Sequence, residues 1–346
     1  MISKVIKRDD FLGLVDELPR RRSVIGPVSR QERFFYEEVD RAEQIDLSFN
    51  YCVYGPRAFL FPPTESLFTF TGAGSHFSAS PTIEARPQAF IGVHPCDINA
   101  IRLLDHIFSV DHPDEHYLAR RRQTLIVGVD CAKPCTEGIF CADMETNEAA
   151  EGFDVMLVPF ENGEERFGVA LGTTAGREWL IESRLCTDLT AADKAALKQY
   201  ADAKKAAFTR QLKTRADELP SLLDRSYDSL LWEATARRCY SCGSCNLSCP
   251  TCYCFNMFDE VDLTLTAGAR KREWDGCHLD KFATVAGDHN FRAKAASRLR
   301  HRIYRKAKWV RELSGMAGCV GCARCDRACT AKINSVEIYN QLAEEV

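Results

Sequence analysis

The sequence predicts an α/β domain at residues 1–173 and a cysteine-organised helical domain at residues 236–346, joined by a helical segment at residues 174–235. Three observations support this division. Strand and helix patterns alternate up to residue 172, an Ala- and Lys-rich helical pattern follows, and most of the 17 cysteines lie after residue 238. A chain of 346 residues also exceeds the length that one hydrophobic core usually serves.

A strand, a helix and a second strand follow one another in the first domain. Residues 87–93 (PQAFIGV) end in an apolar run typical of a buried strand, and residues 97–108 place apolar side chains at helical spacing after a potential N-cap at Asp97. Residues 124–129 (TLIVGV) predict a second buried strand. A unit of this kind predicts two parallel strands in one sheet.

The remaining elements are predicted from periodicity and capping. Residues 153–160 and 166–172 predict two strands that pair as a hairpin. The segment 174–235 predicts helices, one of which begins after Thr190. Because β-branched runs are few from residue 236 onward, we also expect helix over residues 250–318, between the two main groups of cysteines.

Composition limits the class of protein. With 45% hydrophobic residues and a net charge of −4, the chain is neither a disordered acidic tail nor a strongly basic nucleic-acid coat. The N-terminus has no apolar signal-peptide region, and the longest apolar runs are far shorter than a membrane span. These features predict a cytoplasmic protein, in which clustered thiols indicate metal or redox chemistry rather than disulfides.

The strongest pattern is a pair of cysteine motifs with identical spacing. Each motif has the form Cys-x2-Cys-x2-Cys-x3-Cys, and the second begins 80 residues after the first. This is the spacing of bacterial-ferredoxin 4Fe-4S motifs, in which the fourth cysteine of each motif binds the other cluster. The predicted ligands are therefore Cys239, Cys242, Cys245 and Cys329 for cluster one, and Cys319, Cys322, Cys325 and Cys249 for cluster two.

Three features bear on this prediction. The alternative is a pair of zinc sites, but zinc sites use two CxxC pairs rather than a run of three cysteines. Pro250 follows the first motif, whereas Thr330 occupies the equivalent position in the second. Since that residue does not bind iron, we expect the difference to alter the potential more than the occupancy. The long insert between the motifs favours a helical-ferredoxin-like domain over the small β-containing type.

A basic helix is predicted within that insert. Residues 291–311 contain nine Lys or Arg and no acid, with an apolar stripe along one face. Three interpretations stay open: docking of an acidic redox partner, compensation of the negative charge of thiolate-bound clusters, or an ordinary solvated face. The docking interpretation expects Arg298, Arg302 and Arg305 to meet the partner. Nucleic-acid binding is a weaker option because the net charge is −4.

A third group of cysteines lies in the α/β domain. Cys131-x3-Cys135-x5-Cys141 supplies three ligands that need a fourth. Cys96 follows the first predicted parallel strand and Cys131 follows the second, and the carboxyl ends of parallel strands meet at one sheet edge. These four cysteines therefore predict a third 4Fe-4S site. The alternative is a set of structural thiols on a long loop.

The other cysteines lack a ligand pattern. Cys252, Cys254 and Cys277 are predicted to be buried thiols that shield the clusters, with a ligand or redox role as the alternative. Cys52 and Cys186 are isolated and are predicted to be core residues.

The chain resembles a family of iron–sulfur subunits over about residues 60–340. This family includes the iron–sulfur subunit of anaerobic sulfite reductase and the beta subunit of cytoplasmic sulfhydrogenase-type NiFe hydrogenases. The segments that carry the resemblance are, in chain order, GVHPCDINAIRLLDHIF, VDCAKPC…FCADMETN, CYSCGSCNLSCPTCYCF, REWDGC, VAGDHNFR and CVGCARCDRAC.

The resemblance implies a non-catalytic electron-transfer subunit with three 4Fe-4S clusters, working beside two other subunits, one that binds flavin and NAD(P) and one that is catalytic. It supports Cys96 as a ligand. The spacing of Cys131 and Cys135 in this sequence departs from the family pattern. Two other functions stay open. One is an iron–sulfur reductase whose own thiol site is formed by Cys252, Cys254 and Cys277, and the other is an iron–sulfur regulator that binds nucleic acid through the basic helix.

Overall fold

The computed structural model describes residues 2–73 and 76–345. Its strands are β1 Lys4–Lys7, β2 Ser23–Arg30, β3 Arg33–Val39, β4 Thr64–Ala73, β5 His76–Pro81, β6 Gln88–Val93, β7 Thr124–Val129, β8 Val155–Glu161, β9 Glu165–Leu171, β10 Phe255–Val261, β11 Ala267–Trp274, β12 Thr284–Val285 and β13 His289–Asn290. Its helices are α1 Arg8–Glu17, α2 Arg57–Leu60, α3 Pro95–Ile107, α4 Glu115–Arg122, α5 Thr174–Ile181, α6 Ala191–Ala207, α7 Leu219–Arg225, α8 Leu231–Ala236, α9 Ser244–Leu247, α10 Ala295–Tyr304, α11 Val310–Ser314, α12 Arg324–Arg327 and α13 Ser335–Glu345.

A seven-stranded sheet forms the N-terminal region. Its strand order is β1-β9-β8-β7-β6-β2-β3, and the four central strands β8, β7, β6 and β2 are parallel. The predicted strand–helix–strand unit is present as β6, α3 and β7, and the predicted hairpin is present as β8 and β9. The carboxyl ends of β6 and β7 therefore lie side by side, as the third cysteine site requires.

Apolar side chains pack on both faces of this sheet. Along β6, Ala89 and Ile91 join the core on one face, while Phe90 and Val93 join the core on the other. Ala89, Phe90 and Ile91 alternate with the two-residue period of a strand, whereas Val93 shares the face of Phe90 because the register shifts between Ile91 and Val93, where Gly92 has a positive φ of 78°. The apolar run from Ala89 to Val93 follows from burial on both sides. The sheet is thus a rigid base for the loops at its edge.

Two local predictions differ in outcome. Thr190 caps α6 as predicted, because its hydroxyl accepts a hydrogen bond from the Asp193 amide. The predicted N-cap at Asp97 is wrong. Helix α3 begins one turn earlier, with His94 as N-cap and Pro95 at the first position, so the Asp97 side chain is free to bind elsewhere.

The prediction of helix throughout residues 250–318 is wrong for its first part. Strands β10 and β11 form a hairpin there, and β11 pairs with β4 of the N-terminal region in a four-stranded antiparallel sheet of order β10-β11-β4-β5. Strand β11 reads AGARKREW, three small residues followed by four charged ones and a Trp, so it contains no β-branched residue and a search for β-branched runs does not detect it. This sheet joins the insert to the first domain.

Helices pack around the cysteine motifs in the rest of the C-terminal region. Helices α7, α8, α10 and α13 enclose one apolar core, which includes Leu223, Trp232, Tyr304 and Tyr339. The predicted basic helix consists of α10, a π-helical turn at Arg305–Trp309, and α11. No helix in the described part of the chain is long and apolar enough to cross a membrane.

Buried ion pairs hold the four-stranded sheet against the first domain. The Glu65 side chain is 5% exposed, and its carboxylate accepts hydrogen bonds from Arg120 at 2.6 Å and Arg272 at 2.7 Å. Arg272, which is 2% exposed, also binds Asp114. Each buried charge thus has a partner across the junction, as burial requires.

We expect Glu65→Gln to destabilise the protein by about 3 kcal/mol, because loss of this carboxylate leaves Arg120 and part of Arg272 as uncompensated buried charge. The measurement is the midpoint of urea unfolding of the full chain. Glu84→Gln is the matched control, since Glu84 is exposed. Equal midpoints for the two variants would contradict this account of the junction.

Candidate iron–sulfur cluster sites

The first predicted ligand set lines one cavity, which we call site one. Cys239, Cys242 and Cys245 come from the loop before α9 and from α9 itself, and Cys329 comes from the second motif. The structure therefore brings together three cysteines of one motif and the last cysteine of the other. His278 and Arg302 line the same cavity.

The second set lines a neighbouring cavity, which we call site two. Cys319, Cys322 and Cys325 surround it together with Cys249 of the first motif. Cys325 and Arg302 line both cavities, so the two sites are direct neighbours. This exchange of the fourth cysteine is the arrangement of two-cluster ferredoxins.

The two motifs share one backbone conformation. Ser241 and Gly321, each two residues after the first cysteine, have positive φ angles of 53° and 63°, and each donates its amide to that cysteine's sulfur at 3.4 Å. Gly243 and Ala323 are also left-handed and begin the short helices α9 and α12. Such turns direct successive amides toward one point, where sulfur atoms accept them.

The lining groups of site one fit an anionic sulfur-rich group. The buried Nε of Arg302 and Nε2 of His278 have no hydrogen-bond partner within the described residues, although both side chains line the cavity. Burial, with help from Arg302 and Arg298, lowers the pKa of His278 to about 3, so its imidazole stays neutral. Unpaired buried donors are costly, and sulfide or thiolate acceptors in the cavity would satisfy them.

Burial favours the protonated form of several thiols at both sites, so their thiolates are costly without added positive charge. Burial raises the pKa of Cys245 to about 11, that of Cys322 to about 11 and that of Cys319 to about 12. A thiolate in such a place needs positive charge beside it, which bound iron supplies. The chemistry of the donor set therefore matches iron–sulfur clusters, which are held by thiolates.

Cations of the basic helix face these sites. Arg302 and Lys306 are 5% and 8% exposed, Arg302 donates to the Cys245 carbonyl at 3.2 Å, and Lys306 donates to the Thr251 hydroxyl at 2.7 Å. Although burial opposes the charged form, the nearby thiols Cys249 and Cys252 raise the pKa of Lys306 above its usual value. Both cations therefore stay charged inside the protein.

The docking interpretation of this helix is wrong for Arg298, Arg302 and Arg305, the cations that it expected to meet a partner. Arg298 and Arg302 are buried, and Arg305 is half-buried against Tyr253. Their positions favour the second interpretation, compensation of cluster charge. Periodicity placed these residues on one face, but it could not show that the face turns inward.

Site three lies at the carboxyl edge of the parallel strands. Cys96 and Cys141 belong to one small apolar cluster with Ile139 and Ala323, and Cys131 and Cys135 lie within hydrogen-bonding reach of each other. Burial raises the pKa of Cys141 to about 12 and that of Cys96 well above its usual value. Cys135 also acts electrostatically on Cys96 and on Cys141, so the two pairs of cysteines are neighbours at this edge of the sheet.

His94 is a functional candidate that sequence reasoning missed. Its Nδ1 lies 3.8 Å from the Cys135 sulfur, and the ligand atoms of His94, Cys131 and Cys135 all lie within 4.8 Å of one another. Phe49 stacks on the imidazole at 4.0 Å and fixes its plane. The sequence did contain one indication of its role, because His94 directly follows β6 and lies two residues before Cys96.

Direct contacts join site three to site two. The Phe140 amide donates to the Gly321 carbonyl at 2.9 Å, and the Thr146 hydroxyl donates to the Val320 carbonyl at 2.7 Å. A Cβ on Gly321 would lie 2.5 Å from the Cys141 amide nitrogen, so only glycine permits this approach. The loops that carry the two cysteine sets therefore pack against each other.

A buried ion pair strengthens the same junction. Arg324, between Cys322 and Cys325 in sequence, donates two hydrogen bonds to the Asp97 carboxylate at 2.6 and 2.7 Å, and both side chains are at most 2% exposed. Arg324 also donates to the Cys52 carbonyl at 2.8 Å. The predicted core cysteine Cys52 is buried, whereas Cys186 is only half-buried at the edge of a core.

Cys252, Cys254 and Cys277 do not form a metal-binding group of their own among the described residues. Cys252 is hydrogen-bonded to Cys249 of site two, and Cys277 acts electrostatically on Cys245 of site one and on Cys254. The Asn246 side-chain amide contacts the sulfur of Cys277 at 3.3 Å and that of Cys252 at 3.7 Å. Both thiols are buried, which suits the predicted shielding role. A redox role for them stays a prediction.

Comparison with known proteins agrees with this geometry. Residues 238–333 match the family model of the 4Fe-4S dicluster domain. The chain is also 30% identical over 336 residues to sulfhydrogenase 2 subunit beta of Pyrococcus furiosus, a match that covers 97% of this chain and 96% of that protein. These matches confirm an α/β region followed by a dicluster domain, and confirm the family resemblance for its hydrogenase branch. This chain belongs to the sulfhydrogenase beta-subunit family.

Proposed function

We propose that this chain relays electrons between two other subunits, one that binds flavin or NAD(P) and a catalytic one of the NiFe hydrogenase or sulfite reductase type. Membership of the family makes the chain an iron–sulfur electron-transfer subunit of a multi-subunit oxidoreductase. The observation that carries the proposal is that site two contacts both other sites, through shared lining residues on one side and packed loops on the other. Bound 4Fe-4S clusters supply one-electron transfer.

Three clusters are proposed, each with four cysteines. The ligands are Cys239, Cys242, Cys245 and Cys329 at site one, Cys319, Cys322, Cys325 and Cys249 at site two, and Cys96, Cys131, Cys135 and Cys141 at site three. Shared cavities support the first two sets. The third is supported by its place at the edge of the sheet, where His94 is near enough to donate a hydrogen bond to the Cys135 sulfur.

The proposed organisation keeps the three segments 1–173, 174–235 and 236–346. The helical-ferredoxin-like character of the last segment is supported by α9 and α12, which carry the cluster motifs, and by α10, which supplies their cations. The hairpin of β10 and β11 is an addition to that domain. We also propose a cytoplasmic location, because thiols that serve as metal ligands have to stay reduced.

The alternative function, a regulator that binds nucleic acid through the basic helix, is less well supported because cations of that helix are buried. That idea needed exposed cations along the helix, whereas Arg298, Arg302 and Lys306 are buried. Phosphate binding depends on charges that reach the surface.

Cysteine substitutions test the ligand sets in the full chain. After anaerobic reconstitution we expect about twelve irons per chain for the wild type and about eight for Cys96→Ser, because one of three clusters is lost. Cys329→Ser and Cys239→Ser should give the same change in the electron paramagnetic resonance (EPR) spectrum, since both act on site one. Cys186→Ser is the control and should keep every signal.

The crossed ligation would be disproved if Cys329→Ser reproduced the spectrum of Cys319→Ser instead. An unchanged iron content in Cys96→Ser would remove that residue from site three.

A second prediction concerns the buried cations. Lys306→Met should lower the reduction potential of the site-two cluster by roughly 100 mV, which is what one charge several ångströms away contributes at an effective dielectric constant of about 20. Redox titration followed by EPR measures the shift. Lys308→Met is the matched control on the same helix, because Lys308 pairs with Asp224 and Glu312 instead. Equal potentials in both variants would count against charge compensation by Lys306.

A further inference from the structure

Site one is the site that reaches the protein surface. The structure describes all 17 cysteines, and among them only Cys242 is exposed, whereas the other proposed ligands are buried or half-buried. A group held by Cys242 is therefore within reach of a second protein. Electron exchange between proteins requires such an edge.

Two exposed aromatic side chains lie on the segment that carries Cys242 and on a neighbouring segment. Tyr240 is 74% exposed and Phe291 is 67% exposed. They belong to one surface because Arg298 joins their segments: its guanidinium donates to the Ser241 hydroxyl at 2.8 Å and to the Ala293 carbonyl at 2.6 Å. Exposed aromatic residues are enriched at protein–protein interfaces.

The same surface carries exposed positive charge. Arg237, Arg238 and Lys294 are exposed, and none of them forms an ion pair with a carboxylate of residues 2–73 or 76–345. The segments 233–242 and 288–294 together contain four Lys or Arg residues against two acids, Glu233 and Asp288. The buried cations of the basic helix lie behind them.

This pattern contrasts with the chain as a whole, whose net charge is −4. A positive rim around an anionic redox centre attracts a negatively charged partner that the centre alone would repel. Unpaired surface Arg and Lys at an interface rim act mainly on the rate of encounter and on the choice of partner.

We propose that the Cys242 face, formed by Arg237, Arg238, Tyr240, Cys242, Phe291 and Lys294, is the docking surface for a redox protein with an acidic contact surface. The inference rests on the proposed electron-transfer function and names the chemistry of one partner. Tyr240 and Phe291 supply the apolar contacts, and the cations orient the partner over site one.

Flavodoxin, an acidic redox protein, and cytochrome c, a basic one, serve as probes for the reconstituted full chain. We expect the wild type to bind oxidised flavodoxin at low ionic strength with an affinity that falls steeply as salt rises, and to bind cytochrome c more weakly. The double substitution Arg237→Glu and Arg238→Glu should weaken flavodoxin binding at least tenfold, and Lys294→Glu should weaken it several-fold. Isothermal titration calorimetry measures both, and stopped-flow oxidation of the reduced protein by flavodoxin should slow in parallel.

The control is the double substitution Arg20→Glu and Arg21→Glu, which changes the net charge equally at the opposite, amino-terminal edge of the parallel strands. It should alter flavodoxin binding less than twofold. Tighter binding of cytochrome c by the wild type, or equal effects of the two double substitutions, would overturn the proposal.

Iron content and reduction by dithionite, measured on the same samples, separate this result from the proposed function. If the wild type lacks iron after reconstitution, the proposed electron-transfer function is wrong. If the protein is fully loaded with iron but charge reversal leaves flavodoxin binding unchanged, only the proposed docking surface is wrong. If the double substitution loses iron, Lys294→Glu alone decides the outcome, because Lys294 lies on a segment without proposed ligands.

Discussion

The buried ion pair between Arg324 and Asp97 joins the two halves of the molecule. Arg324 belongs to the second cysteine motif, and Asp97 follows Cys96 at the start of α3. Because removing either partner leaves an uncompensated charge in the interior, the pair tolerates little displacement of one half relative to the other. The contacts of Gly321 with Phe140, and of Val320 with Thr146, depend on this alignment. The positions of sites two and three relative to each other are therefore set by a charge pair rather than by apolar packing alone.

The need to pair buried charges also explains why the interior of the C-terminal region contains cations. Buried thiolates need cations, and Arg302 and Lys306 supply them from one face of a helix at a spacing of four residues. The π-helical turn begins directly after α10 and includes Lys306, and such turns are frequent at functional sites. A Cβ on Gly318 would lie 2.8 Å from the Lys306 carbonyl oxygen, so the chain that leads into Cys319 packs directly on this turn. Helix, turn and second motif thus form one unit.

Much of this arrangement could be predicted from the sequence, for physical reasons that differ between elements. The strands β6 and β7 were predictable because burial on both faces demands apolar runs, and the two motifs were predictable because cluster geometry fixes cysteine spacing. The position of Asp97 inside α3 was not, because its partner Arg324 is 227 residues away. The hairpin of β10 and β11 was missed since its residues become a strand only by pairing with β4. His94 was missed because only the folded structure shows that its imidazole lies next to Cys131 and Cys135.

Anomalous diffraction at the iron absorption edge, from crystals of the reconstituted full chain, tests the central claim most directly. The account predicts three compact iron peaks, with the site-two peak between Cys249 and Cys322, the site-one peak beneath Cys242, and the site-three peak at the carboxyl ends of β6 and β7. Absence of iron from the pocket shared by Cys249 and Cys322, or a zinc signal in its place, would contradict the account.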